Sequence, residues 1–181
     1  MRWSSVVRQC RFDCVRVDLF GLSNMLFMLL FPVLSCVAAL VLTVTGAPGQ
    51  VAVSVYGGVC GMAAVMSWMS ALSVNVAEES GGHRAMNGMI PIARTSQVAG
   101  RFLFLLVTCA MWTVDVMACS VFFAFGDMMD SGWAGAMIPS AVIVAFSLIV
   151  GSILMAFSYR FTFRAMMRIF VVVIVGLYAL V

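Results

Sequence analysis

Residues 75–101 read NVAEESGGHRAMNGMIPIARTSQVAGR, and they are flanked on both sides by long apolar runs. The stretch holds Glu78 and Glu79, the glycine pair Gly81-Gly82, the chain's one histidine His83, and Arg84, Arg94 and Arg101. A segment this polar between two apolar runs must sit in water or against another protein, so the runs beside it define the fold. The 181 residues are 64% hydrophobic and 9% charged, with a mean hydropathy of +1.14. An ordinary soluble domain carries about 25% charge. The deficit excludes that class and predicts an all-α membrane protein, a polytopic helical bundle.

Working outward, the runs at 51–74 and 102–125 are spans on either side of the polar stretch. A run at 24–45, which Pro32 is expected to kink, and a run at 134–157 complete four full spans. Each has at least the roughly 20 residues needed to cross a hydrocarbon core. The run at 169–181 has 13 residues, fewer than the roughly 17 at the low end of the spanning range, and is read as an incomplete fifth span of a chain that continues. Short turns join the outer ends, GAPG at 46–49 and GDMMDSGW at 126–133. Gly57 and Gly61 form a GxxxG in the second span, a pattern that permits close helix approach.

Residues 2–20 place Trp3, Val6, Val7, Cys10, Cys14 and Val17 at helical spacing. Arg2, Arg8, Gln9, Arg11, Asp13, Arg16 and Asp18 cover most of the rest. This is an amphipathic helix suited to the membrane interface. A long apolar run follows it, not a short core with a cleavage site, so it reads as retained.

The ten basic residues are all arginine and alternate completely: four before the first span, none in the first turn, three in 75–101, none in the acidic turn and three in 159–168. The positive-inside rule then puts the N-terminus, the central stretch and the 159–168 loop in the cytoplasm. Arginines scattered among spans form no continuous patch for nucleic acid. The six cysteines include no CxxC pair. Cys10 and Cys14, spaced i,i+4, are read as small apolar residues and not as a metal pair.

Catalytic patterns are missing. There is no Walker A loop and no HExxH. Glu78 and Glu79 point about 100° apart on a helix, so they cannot converge on one atom, and are read as surface carboxylates. No enzyme activity, metal or cofactor is expected of this chain. Asp115 is the one charge near the middle of a span. An intramembrane carboxylate marks a polar pathway or a bond to a neighbouring helix, here one carrying Ser67, Ser70 or Ser73.

With orientation assigned, the order of features in 75–101 resembles the permease subunits of type-2 ATP-binding-cassette exporters. Glu78 or Glu79 ends span two, Ile90-Pro91-Ile92-Ala93-Arg94 follows, and Arg101 opens span three. Ala93 stands where the family usually has serine. The amphipathic N-terminus is similar to the family's interfacial elbow helix.

The resemblance implies a permease that pairs with a second permease subunit, as a homo- or heterodimer, and docks on a separate cytoplasmic ATPase that binds the ATP. The 75–101 stretch would be the coupling element, with Gly82 and Pro91 shaping it, Ile90 in contact, and Glu78, Glu79 and Arg94 facing the partner. It also implies six spans and a place in the cell (plasma) membrane, here of a bacterium. Two alternatives stay open, an ATP-independent channel or carrier subunit and a membrane scaffold.

Overall fold

The computed structural model describes residues 3–80, 93–125 and 132–162, together with 164, 165, 168 and 169. The described part is helical, with α1 Trp3–Arg16, α2 Leu22–Thr45, α3 Gly49–Ser80, α4 Arg94–Phe125 and α5 Gly132–Ser158. Four of these, α2 to α5, are long and apolar enough to cross a membrane. The chain is an all-α, multi-pass membrane protein. The run expected to be an incomplete fifth span lies, apart from Ile169, outside the described residues.

The helix ends follow from local chemistry. α1 stops where Asp18 adopts a left-handed backbone (φ 52°), with Leu19 N–H donating to the Cys14 carbonyl at 2.9 Å and Asp18 N–H to that of Val15 at 3.1 Å. This is a Schellman closure, and aspartate is among the few residues that tolerate the conformation. The Asn24 side chain then donates to the Asp18 carbonyl at 2.7 Å and locks the turn into α2. At the far end of α2, Gly46 (φ 61°) makes the same closure, with Ala47 N–H reaching Leu42 O at 3.1 Å. α2 runs unbroken through Pro32.

α4 is the central helix and touches each of the other four. Two apolar clusters stack along it. The first joins Cys10 and Cys14 of α1, Trp68 and Leu72 of α3, Phe104 and Leu105 of α4, and Met155 of α5. The second joins Phe31 of α2, Tyr56 and Cys60 of α3, and Trp112, Val116 and Phe123 of α4. There Phe31 meets the Trp112 ring edge-to-face at 5.3 Å, and the Tyr56 and Ser140 hydroxyls are 2.7 Å apart. Chain direction alternates from α2 to α5, so α1, the end of α3, the start of α4 and the end of α5 share one end of the bundle. α2 is the least embedded span, with 17% of its apolar window buried against 44% for α4.

Three expectations are corrected. First, α3 and α4 are each 32 residues long, so 75–80 and 94–101, at the two ends of the stretch expected to be a coupling loop, are helix, while 81–92 lie outside the described residues. Hydropathy registers only the part inside hydrocarbon, whereas the backbone hydrogen-bond ladder continues through polar residues. Second, α1 presents a different face to the bundle. Gln9 and Asp13, placed on its polar side, are buried with Val6, Cys10 and Cys14, while Trp3 and Val7 are exposed. Third, Gly57 and Gly61 meet nothing within 4 Å. The close approach occurs instead at Gly100, where a Cβ would stand 2.6 Å from Gln9 Cβ.

Candidate functional site

The end of the bundle that carries α1 holds a buried polar cluster. Asn75 and Glu78 lie three residues apart, on one face of the last turns of α3. Glu78 Oε1 accepts a hydrogen bond from Arg16 Nη1 of α1 at 2.7 Å and another from Arg101 Nη2 of α4. Arg101 Nη1 donates to Asn75 Oδ1 at 2.9 Å. The Arg101 guanidinium lies over the Tyr159 ring, 5.4 Å from its centroid, which brings in the residue just after α5. One carboxylate thus ties together α1, α3 and α4, and its partner arginine reaches a fourth segment.

These groups are largely sealed from solvent. Glu78 is 5% exposed and Arg101 8%. A buried ion pair adds little net stability over an apolar contact of the same shape, but losing one partner is expensive. The cluster therefore fixes which helix ends meet more than it strengthens the bundle.

Beside it, the Gln9 amide donates to both oxygens of Asp13, at 3.1 and 3.2 Å. Asp13 is fully buried. Burial pushes its carboxyl up from the ordinary 3.8 to about 6; the Gln9 amide, Arg101 and Arg16 pull the other way, and Glu78 adds to the rise. The neighbouring Cys10 thiol is pushed up to about 12, by burial and then by Cys14. Such thiols are inert while α1 stays docked.

The expectation that Glu78 is a surface carboxylate facing a partner is corrected, because its oxygen is taken up inside the chain by two arginines. Glu79, one position on, is half-buried. Arg94, the first residue of α4, is exposed. Gly82, Ile90 and Pro91 lie outside the described residues.

Asp115 lies 14 residues beyond Arg101 on α4, about 21 Å along the axis, so it belongs to no common site with the cluster. It is 8% exposed and its Oδ2 has no hydrogen-bond partner among the described residues. Two of the three serines expected to serve it, Ser67 and Ser73, donate to backbone carbonyls of their own helix. On α2, the Ser35 hydroxyl is buried as well, and Cys119 is its neighbour.

Gln9, Asp13, Arg16 and Asn75 were not singled out as site residues from the sequence. The spacing 6, 9, 10, 13, 14 is a helical stripe by position, but it escapes a reading that counts only apolar side chains.

Among the described residues, no three His, Cys, Asp or Glu side chains gather as a metal site. The cluster contains no nucleophile set against a base. What it can do chemically is hold helix ends together. Comparison of the chain with protein-family models, with curated proteins and with solved structures gives no match in any of the three.

Proposed function

We propose that this chain is the membrane-spanning permease subunit of an ATP-binding-cassette exporter, paired with a second permease subunit and driven by a separate cytoplasmic ATPase. The observation that carries the reading is the Arg16–Glu78–Arg101 clamp on two helices that outrun the membrane. A 32-residue helix is about 48 Å long, against about 30 Å of hydrocarbon. α3 and α4 therefore extend well into the interface, and at the clamped end the segment 81–92 connects them.

The described arginines Arg16, Arg94, Arg101 and Arg160 and the arginine-bearing helix α1 belong to that same end, which the positive-inside rule assigns to the cytoplasm. A connection held on two braced helices transmits a push without bending, which a coupling element needs. When the ATPases close, the push would move α3, α4 and α1 as one body and shift the bundle between its two packings. Within the segment, Ile90 would be the apolar anchor and Gly82 and Pro91 would form the turn, as the sequence suggests. Glu79 lies beside the contact, and Glu78 supports it from within.

The test is a pull-down of the cognate ATPase from detergent extract with the unaltered chain and with Ile90→Asp at matched levels. Losing a pocket-filling anchor costs about 2 kcal/mol or more, so recovery should fall by about 30-fold. Equal recovery would overturn the reading and leave an ATP-independent carrier subunit or a membrane scaffold in its place.

A further inference from the structure

A groove of about 650 Å³ lies between the first turn of α1 and the first four turns of α4. Its walls are Trp3 and Val6 from α1 and Val98, Phe102 and Leu106 from α4. Arg94 and Thr95 stand at its upper edge, and the lining is otherwise apolar. Trp3 is 68% exposed and Leu106 52%, so the groove opens sideways to the medium around the bundle. For a membrane-spanning helix, that medium is lipid.

Two features define an occupant. From Arg94 to Leu106 is 12 residues, about 18 Å along α4, and the apolar span of α4 begins near Phe102. The groove therefore starts in the polar interface, with a cation at that end, and runs down to the edge of the hydrocarbon, lined by aliphatic and aromatic side chains. A soluble peptide would find no polar partners along that depth. An acyl chain needs none. Basic positions beside spanning helices attract anionic headgroups, and Trp3, on the interfacial helix α1, is of the residue type enriched at the membrane interface.

We propose that this groove is a binding site for one anionic phospholipid, its phosphate on the Arg94 guanidinium and an acyl chain lying against Val98, Phe102 and Leu106. The site is separate from the Glu78 cluster, because Arg16 and Arg101 are engaged with the buried carboxylate while Arg94 faces outward. It does not depend on the exporter reading. A lipid wedged between α1 and α4 would fill the seam outside the Gly100 crossing and make α1 docking sensitive to membrane composition.

The experiment uses the full chain reconstituted in phosphatidylcholine vesicles, with phosphatidylglycerol carrying brominated acyl chains as the probe. Bromine quenches tryptophan at contact, and subtracting the signal of Trp3→Phe isolates Trp3. Half-maximal quenching should need about fivefold less brominated phosphatidylglycerol than brominated phosphatidylcholine, the factor one arginine contributes beside an anionic lipid. Arg94→Gln, an exposed change that leaves the buried cluster intact, should abolish that preference. Ala99→Leu, which fills the groove floor, should reduce quenching by both lipids.

Inorganic phosphate added at constant ionic strength should leave the quenching unchanged. Displacement by it would overturn the proposal in favour of a plain anion contact. Equal quenching by the two lipids, or a preference that survives Arg94→Gln, would also overturn it. Absence of quenching by either lipid would show that another part of the protein fills the groove, and would overturn it too.

Discussion

Glu78→Gln isolates what the buried cluster does. The substitution keeps size and hydrogen-bonding capacity but removes the negative charge that neutralises Arg16 and Arg101. Losing one member of a buried pair costs about 3–5 kcal/mol. The lower figure applies here, because the Arg16 side chain is 17% exposed and can turn to water, whereas Arg101 cannot. A loss of about 3 kcal/mol raises the population with α1 detached by about 150-fold.

Native cysteines report that state. Cys10 and Cys14 are buried by α1 docking, and Cys10 has its thiol pushed up from 9.0 to about 12. At a given pH near 8 its thiolate population is about a thousandfold smaller than in a released helix. Labelling by a maleimide, mapped to the α1 peptide by mass spectrometry, therefore proceeds through the detached state. Glu78→Gln should speed it about 100-fold. The double variant Glu78→Met with Arg101→Met removes the Glu78–Arg101 ion pair and should return within about tenfold of the original rate, because an apolar pair replaces a buried ion pair at little cost. Labelling of Glu78→Gln within about twofold of the unaltered chain would refute the clamp. A double variant as fast as the single one would refute the account of its energetics.

Two further predictions concern the same seam. Asp13 is destabilising when ionised, because its native carboxyl titrates near 6 and not near 3.8. The penalty is absent below about pH 4, grows between 4 and 6, and is full above 6, at about 3 kcal/mol before relaxation. The attractions of Arg16 and Arg101, the repulsion of Glu78 and the Gln9 bond are already contained in that value. Asp13→Asn should raise the thermal midpoint in detergent at pH 7.5 and give no gain at pH 4; an equal gain at both would remove the desolvation argument. Gly100→Val places a Cβ 2.6 Å from Gln9 Cβ and 3.2 Å from the Val6 carbonyl oxygen. Overpacking of this kind costs about 1–3 kcal/mol and should speed α1 labelling. Gly57→Ala and Gly61→Ala meet nothing within 4 Å and should leave labelling unchanged. The reverse order would show that α1 does not cross α4 at Gly100.

The four spans were legible because bilayer crossing is a one-dimensional demand. About 20 consecutive apolar residues satisfy it whatever they pack against. The arginine alternation was legible for the same reason, since it counts charges between runs, and the fold brings the arginine-bearing ends together. The limits of α3 and α4 were not legible. Apolar content falls at Asn75, but Ala77, Glu78 and Glu79 are acceptable helix residues, so the helix persists to Ser80.

The buried cluster was hidden for a different reason. Glu78 meets Arg16 across 62 residues and Arg101 across 23, and each alone reads as an interfacial charge. Only the packing of α1 onto α4, made close by Gly100, turns three surface-type residues into one desolvated group. The same packing accounts for α1 itself. By composition its most apolar edge, with Trp3 and Val7, would face inward. The observed face lets Arg16 share the Glu78 carboxylate with Arg101 and places Asp13 within reach of the Arg101 charge, while a Val or Trp left at a membrane interface loses little, because lipid covers it. In a bilayer the apolar stripe of an interfacial helix does not by itself select the face that packs on protein, and here Gln9 and Asp13 lie inside with Val6, Cys10 and Cys14.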